Sequence, residues 1–561
     1  MACKENILSE DYGELIIDFS LQNPDPNYCV IRVNEKFIIA YVPRSDLGNM
    51  TGSLYSYQYL PKVYGLMQEE FDPVTLLNSG ILQTQRAPLS LKGSGVVMAF
   101  VDTGIRYAQP EFLNAAGNTR LLAIWDQTIQ TGEPPEGYEY GTLFSREEIN
   151  LALRGENPYE VLPSYDEIGH GTAMASVAAG SITDGGRSYI GAAPETDIVV
   201  VKLRQAKQYL RDYYLLPQGV PAYAESDIML GIKFVESFAV TFQRPVVLCI
   251  GMGSNSGNHL LGSSLAQYIN SIASFRNRGV VVCGGNEGNA GHHFSGSVPN
   301  GGVDAYTDAE IRVGEGERGF LLEMWGQIPD VFYAALRTPG GESIPRFRLG
   351  MGQSLTYRFV YEQTRVTIDS ILVEPNTGQE LIVFRFEDPT PGVWTIRISG
   401  TEDCCGSVFH MWLPITQFLH SETYFLKPDP YTTLTDPGIA RTPITTSTYN
   451  DINNSFYANS GRGFLQDGRI KPDFAAPGVN IQTSIGRSTG SSLAAAITAG
   501  GVAQFLEWAV VRRNNPLVQN EEVKSYFIRG CTRTPGISYP SREWGYGRLS
   551  VSGTFDSLAG V

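Results

Sequence analysis

The chain has 561 residues, of which 42% are hydrophobic and 18% charged, an ordinary globular balance with length for three or four domains at about 150 residues each. Gly and Pro together make up about 16% of it, below the roughly 25–30% of low-complexity chains, which excludes a mainly disordered protein. The net charge of −16, with no Lys/Arg-rich run to reverse it locally, disfavours phosphate backbones and argues against a nucleic-acid partner.

Met1 to Asn6 leads into a mixed segment without a continuous apolar stretch. No signal peptide is expected, and synthesis is expected in the cytoplasm. Residues 1 to about 70 read as a small α+β unit, with Leu15–Phe19 and Phe37–Val42 strand-like by β-branched and aromatic content. From about residue 80 the texture changes. Val96–Val101, Asp197–Leu203, Pro245–Ile250 and Gly279–Cys283 are apolar runs without alternation, as in strands buried on both faces of a parallel sheet. Helices are expected between them. One spans Asp227–Phe238 with Asp227 as its cap, and one spans Leu261–Arg278 with Leu265, Ile269, Ile272 and Phe275 at helical spacing. The alternation predicts an α/β domain with a central parallel sheet and covering helices.

Residues from about 303 to 425 break that rhythm. Phe320–Trp325, Val331–Leu336, Ser354–Val360, Leu381–Phe386 and Val393–Ile398 read as strands, separated by turns such as Pro339-Gly340-Gly341 and Pro391-Gly392. An all-β module is therefore expected as an insertion, since the α/β texture resumes after about 430. Ser492–Val511 is apolar enough to suggest a membrane span, but Glu507 is costly at bilayer depth. A buried helix, and no membrane span, is the expectation.

The seven cysteines (Cys3, Cys29, Cys249, Cys283, Cys404, Cys405 and Cys531) are odd in number and unevenly spaced. They suggest neither a disulfide framework nor a CxxC zinc site, and a reducing compartment is expected. Cys249 and Cys283 sit inside apolar runs as small buried side chains. His292-His293 lacks a Cys/His partner at zinc spacing and reads as loop. No metal and no cofactor are assigned.

Three short segments carry chemistry. Asp102 ends a buried strand and precedes Thr103-Gly104, at the mouth of a sheet where α/β active sites lie. Alone, an Asp before Thr-Gly is an ordinary turn or cap. His170, between Gly169 and Gly171, opens a helix of small apolar residues. Ser492 begins an Ala-rich helix whose first-turn N–H groups have no helical partners and can stabilise an oxyanion; alone it could equally be an N-cap. Together these supply an acyl-transfer triad, in which imidazole takes the hydroxyl proton and a carboxylate fixes the imidazole tautomer. Asp…His…Ser is also the chain order of subtilisin.

Asp-Thr-Gly, Gly-His-Gly-Thr and Gly-Ser-Ser-Leu-Ala, in that order, resemble the three signatures of the subtilisin family of serine proteases. Val282-Cys283-Gly284-Gly285-Asn286 resembles the family's oxyanion segment and Phe474-Ala475-Ala476-Pro477-Gly478 the segment before its nucleophile. The likeness covers about residues 70–305 and 425–555. Three departures stand out: Ser491 replaces the usual Thr, Ala496 the usual Pro, and Gly251-Met252-Gly253 the usual Ser-x-Gly of the substrate strand. The resemblance implies Asn286 at the oxyanion and Gly251, Met252, Gly253, Gly284 and Gly285 at the substrate.

A narrower resemblance, carried by the long segment between Asp102 and His170, the β insertion and Gly251-Met252-Gly253-Ser254-Asn255, is to the Csp germination proteases of clostridial spores. It implies a subtilase fold in three parts. Residues 1–70 would be a prodomain acting as chaperone and inhibitor, 71–305 and 425–561 the catalytic domain, and 306–424 an inserted jelly roll. It implies self-cleavage after Gln68, with Gln83 and Gln85 as alternatives. It further implies a protein substrate such as a cortex-hydrolase precursor, the chain's own prodomain as a partner, and a spore association. Some members of that family signal without catalysis, and this is the alternative reading.

Overall fold

The computed structural model describes residues 3–18, 28–47, 59–66, 76–181, 190–299, 304–350, 353–401 and 408–559. At its centre is a nine-stranded sheet. Phe474–Pro477, Ile444–Asn450, Arg278–Cys283, Val246–Ile250, Val97–Asp102, Asp197–Lys202 and Leu121–Asp126 lie parallel in that spatial order. The apolar runs are strands because both faces are covered. Met98 and Phe100 face a core shared with helices His170–Ala179 and Ser491–Leu506. Val97, Ala99 and Val101 face a second core shared with helices Glu225–Phe242 and Ser264–Ala273.

The Ser491–Leu506 helix is buried along its whole length. Its continuation to Val511 makes it long and apolar enough to cross a membrane, yet it lies inside the protein. Its polar residues have partners there. Gln504 donates to the Ala192 carbonyl (2.8 Å), and the Glu507 carboxylate accepts the N–H groups of Lys92, Gly93 and Ser94 at 2.7, 2.8 and 3.1 Å.

Near the N-terminus, Tyr12–Asp18, Phe37–Pro43 and Cys29–Arg32 form an antiparallel sheet in that order. One face, with Ile16, Phe37, Ile39 and Tyr41, packs with Ile228, Met229 and Ile232 of the Glu225–Phe242 helix. Two antiparallel sheets follow the Asn286 segment. The six-stranded one contains Gly319–Gly326, Glu380–Glu387 and Val408–Trp412, and the five-stranded one Phe332–Arg337, Gly392–Gly400 and Tyr306–Val313. They share one core, in which Trp394, Ile396 and Ile398 are wholly buried, as their alternation predicts.

Four expectations are corrected. Cys3 and Cys29 form a disulfide: the Lys4–Leu8 helix packs beside the N-terminal sheet, a proximity that spacing along the chain does not reveal. Asp227 is not a cap. The helix starts at Glu225, and Asp227 is buried in its first turn against Arg204 (2.8 Å) and the Tyr140 hydroxyl (2.7 Å). The next helix spans only Ser264–Ala273, and the Ser263 hydroxyl caps its start by accepting the Ala266 N–H at 3.2 Å. His292-His293 is not all loop, since His293 opens strand His293–Ser297 and its Nε2 lies 2.9 Å from His410 Nδ1.

Candidate active site

Asp102 stands at the C-terminal end of a central strand, at the crevice where open α/β sheets place their sites. It is 1% exposed and so is His170. His170 Nδ1 lies 2.7 Å from Asp102 Oδ1, which also accepts the Thr103 N–H at 2.7 Å. Gly171 permits this approach: a Cβ there would sit 2.3 Å from the Gly104 carbonyl oxygen and 3.2 Å from Asp102 Oδ1. The Gly171 N–H donates to Thr103 Oγ1 at 2.9 Å, fastening the helix start to the strand end.

Asp166, which the sequence reading did not single out, anchors the same helix. Its buried carboxylate accepts the Gly169 N–H (2.7 Å), the Thr172 N–H (2.9 Å) and the Thr172 hydroxyl (2.7 Å). The signal was legible as an acidic residue just ahead of a helix N-terminus.

The pairing geometry fixes the imidazole chemistry. An ionised carboxylate only accepts hydrogen bonds, so Nδ1 carries the proton and Nε2 presents its lone pair. Among the described residues, Ser492 Oγ included, that buried Nε2 has no hydrogen-bond partner. Ser492 opens the buried Ala-rich helix beside Gly251: a Cβ built on Gly251 would fall 2.9 Å from Ser492 Cβ and 2.3 Å from Met174 Sδ on the His170 helix. Ser491 lies beside the Cys283 thiol, which burial pushes up to about 12; its Oγ has no hydrogen-bond partner among the described residues, and its N–H donates to Asn286 Oδ1 at 3.1 Å. With that oxygen engaged, the Asn286 NH₂ is the end of the amide that can serve a ligand.

A groove runs past these residues, and it holds a strand. Val63–Leu66 is the middle of a three-stranded antiparallel sheet, with Leu66 opposite Met252, Gly65 opposite Gly253, Tyr64 opposite Tyr223 and Val63 opposite Ala224. Tyr223 and Ala224, the second wall, were not foreseen. Glu225 pins the strand's entry, accepting the Lys62 N–H at 3.0 Å while its own N–H donates to the Lys62 carbonyl at 2.9 Å. Gln417, from the end of the β insertion, donates to the Leu66 carbonyl. Gln68 lies outside the described residues; Gln85 is buried and donates to the Gly191 and Ala192 carbonyls at 3.0 and 2.9 Å. The backbone groups of Gly284 and Gly285 are engaged within the fold: Gly284 N–H donates to Thr446, and the two carbonyls accept from Thr435 and Gly461.

The subtilase family model matches residues 93–310 and 426–547. Among solved structures, the CspB protease of Clostridium perfringens is 29% identical, with a TM-score of 0.76 over 86% of this chain and 97% of that one. Fervidolysin of Fervidobacterium pennivorans, a keratinolytic enzyme related to subtilisin, is 11% identical with a TM-score of 0.46, over 97% of this chain and 61% of its own. No curated protein matches the chain.

Proposed function

The chain belongs to the subtilase family and is a subtilisin-like serine endopeptidase, and from this premise we propose that it works through Asp102, His170 and Ser492, with its own N-terminal segment as first substrate. Ser492 Oγ attacks the scissile carbonyl carbon while its proton passes to His170 Nε2. Asp102 holds the Nδ1–H tautomer and stabilises the imidazolium. The tetrahedral oxyanion is received by the Asn286 NH₂ and the Ser492 N–H, each such donor contributing about 10²–10³ in kcat. His170 then protonates the leaving amine, and water repeats the sequence on the acyl-enzyme.

The observation that carries this reading is the antiparallel pairing of Val63–Leu66 with Met252-Gly253, beside Gly251 and the Ser492 side chain. A main-chain ladder of this kind is how proteins present an extended peptide. It supports cleavage after Gln68, two residues beyond the strand. Residues 1–70 then act as chaperone and inhibitor, 71–305 and 425–561 as the catalytic domain, and 306–424 as an inserted jelly roll. On the resemblance to the Csp germination proteases, the enzyme is spore-associated and activates a precursor, such as that of a cortex hydrolase, by limited proteolysis; on its N-terminal sequence, it is synthesised in the cytoplasm.

The test is labelling by a fluorophosphonate probe. Folded, processed protein is expected to label at Ser492 and to lose labelling in His170→Ala. An unlabelled wild-type protein would favour a non-catalytic signalling role.

A further inference from the structure

Tyr64 is wholly buried among the apolar side chains of the groove, Met252 and Tyr223 included. Its hydroxyl donates to Asp436 Oδ2 at 2.6 Å and lies 3.0 Å from Ser263 Oγ. Ser263 donates to the same carboxylate from its hydroxyl (2.6 Å) and its N–H (3.0 Å). Asp436 is built into the catalytic unit rather than the strand. Its backbone exchanges two hydrogen bonds with Ser254, at 2.9 and 3.0 Å, directly after the Met252-Gly253 wall. Burial raises its carboxyl to about 6, and to its ionised form a phenol makes a charge-assisted bond. A phenylalanine would fill the same ring space and leave that acceptor one donor short.

Gly65 adds a second restriction. A Cβ there would fall 2.6 Å from Ile415 Cδ1 and 2.9 Å from Gln417 Oε1, the amide that holds the Leu66 carbonyl.

Resting on the reading of this groove as the substrate cleft, we propose that Asp436 and Ser263 form a tyrosine-selecting subsite, so that the enzyme cuts protein segments entering extended with a tyrosine at the place of Tyr64 and glycine after it. The reach of the discrimination follows from chemistry. A site that hydrogen-bonds a substrate hydroxyl rejects the analogue lacking it, because its own buried polar group loses a partner. Asp436 keeps its Ser263 bonds, so the penalty is partial.

The test is self-cleavage of the full chain, synthesised cell-free and sampled over time by mass spectrometry, with fluorophosphonate labelling of Ser492 as the measure of a formed site. Tyr64→Phe is expected to slow cleavage about 10- to 100-fold with labelling retained. In an Asp436→Asn background, chains with and without Tyr64→Phe are expected to be cut at similar rates. Gly65→Ala, whose methyl displaces only side-chain ends, is expected to slow cleavage less. Tyr64→Phe cutting at the unaltered rate would overturn the proposal. Should Tyr64→Phe alone fail to label, rescue of its cleavage by Asp436→Asn supports the subsite and absence of rescue overturns it. A wild-type chain that neither cuts nor labels removes the reading beneath the proposal, and the proposal with it.

Discussion

The N-terminal sheet and the inserted β sandwich both rest on the catalytic unit, but they handle buried ionisable groups in opposite ways. At the N-terminal seam the groups are charged and paired. Glu14, fully buried, meets Arg204 at 2.5 Å and Lys207 at 3.7 Å, and Arg204 meets Asp227 at 2.8 Å. Burial pushes the Glu14 carboxyl up, but Arg204 and Lys207 outweigh it and hold it below the usual range. At the sandwich seam three buried histidines are neutral and stacked. His259 lies over Trp412 with ring centroids 4.0 Å apart, and His293 and His410 stack beside the same indole. Burial lowers these imidazoles to about 4, 3 and 3. Leu321, Trp325, Leu381 and Val383 complete that seam in one apolar cluster with Tyr213, Leu215 and Leu216. Paired charges fix a register and fail badly when one partner goes. Apolar area is more forgiving of detail.

The largest effect is expected at the charged seam. Glu14→Ala leaves Lys207 a buried cation without its ion pair and Arg204 with Asp227 alone, and should cost about 3–5 kcal/mol, read by denaturant unfolding. A loss under about 1 kcal/mol, as at a surface pair, would break the contrast. At the other seam, Leu381→Ala should cost about 2–5 kcal/mol by cavity formation, with the same loss at pH 5 and pH 8.

The smallest effect is a pH dependence confined to the sandwich seam. Each histidine binds a proton near pH 3–4 when folded and near 6.5 when unfolded. Their contribution is therefore full above pH 6.5 and lost as pH falls toward 4 and then 3. Hydrogen exchange around His410–Trp412 should rise between pH 6.5 and 5.5 while exchange around Tyr12–Asp18 holds steady. Equal acceleration at both seams would remove the distinction.

What could be read from the sequence was what is local. The apolar runs ending at Val101, Leu203, Ile250 and Cys283 announce strands covered on both faces, and the small apolar residues after His170 announce a helix that opens at the imidazole. The alternation of Trp394, Ile396 and Ile398 fixes a sandwich face without any partner being known. What escaped depends on distant pairs. Tyr64 and Asp436 are 372 residues apart, and Glu14 and Arg204 190. Neither pair leaves a periodic trace, because each is set by how whole elements dock. Cys3 and Cys29 escaped for the same reason. Asp227 was misread because a buried ion pair and a helix cap look alike in one dimension.

The central claim is that Ser492 cuts the chain just beyond the strand in the groove. Intact-mass measurement of purified wild-type and Ser492→Ala protein tests it most directly. The account predicts that wild type separates into an N-terminal piece of roughly 7–8 kDa ending at Gln68 and the remainder, while Ser492→Ala stays at 61.5 kDa. An uncut wild-type chain, or a Ser492→Ala chain cut equally well, would contradict it.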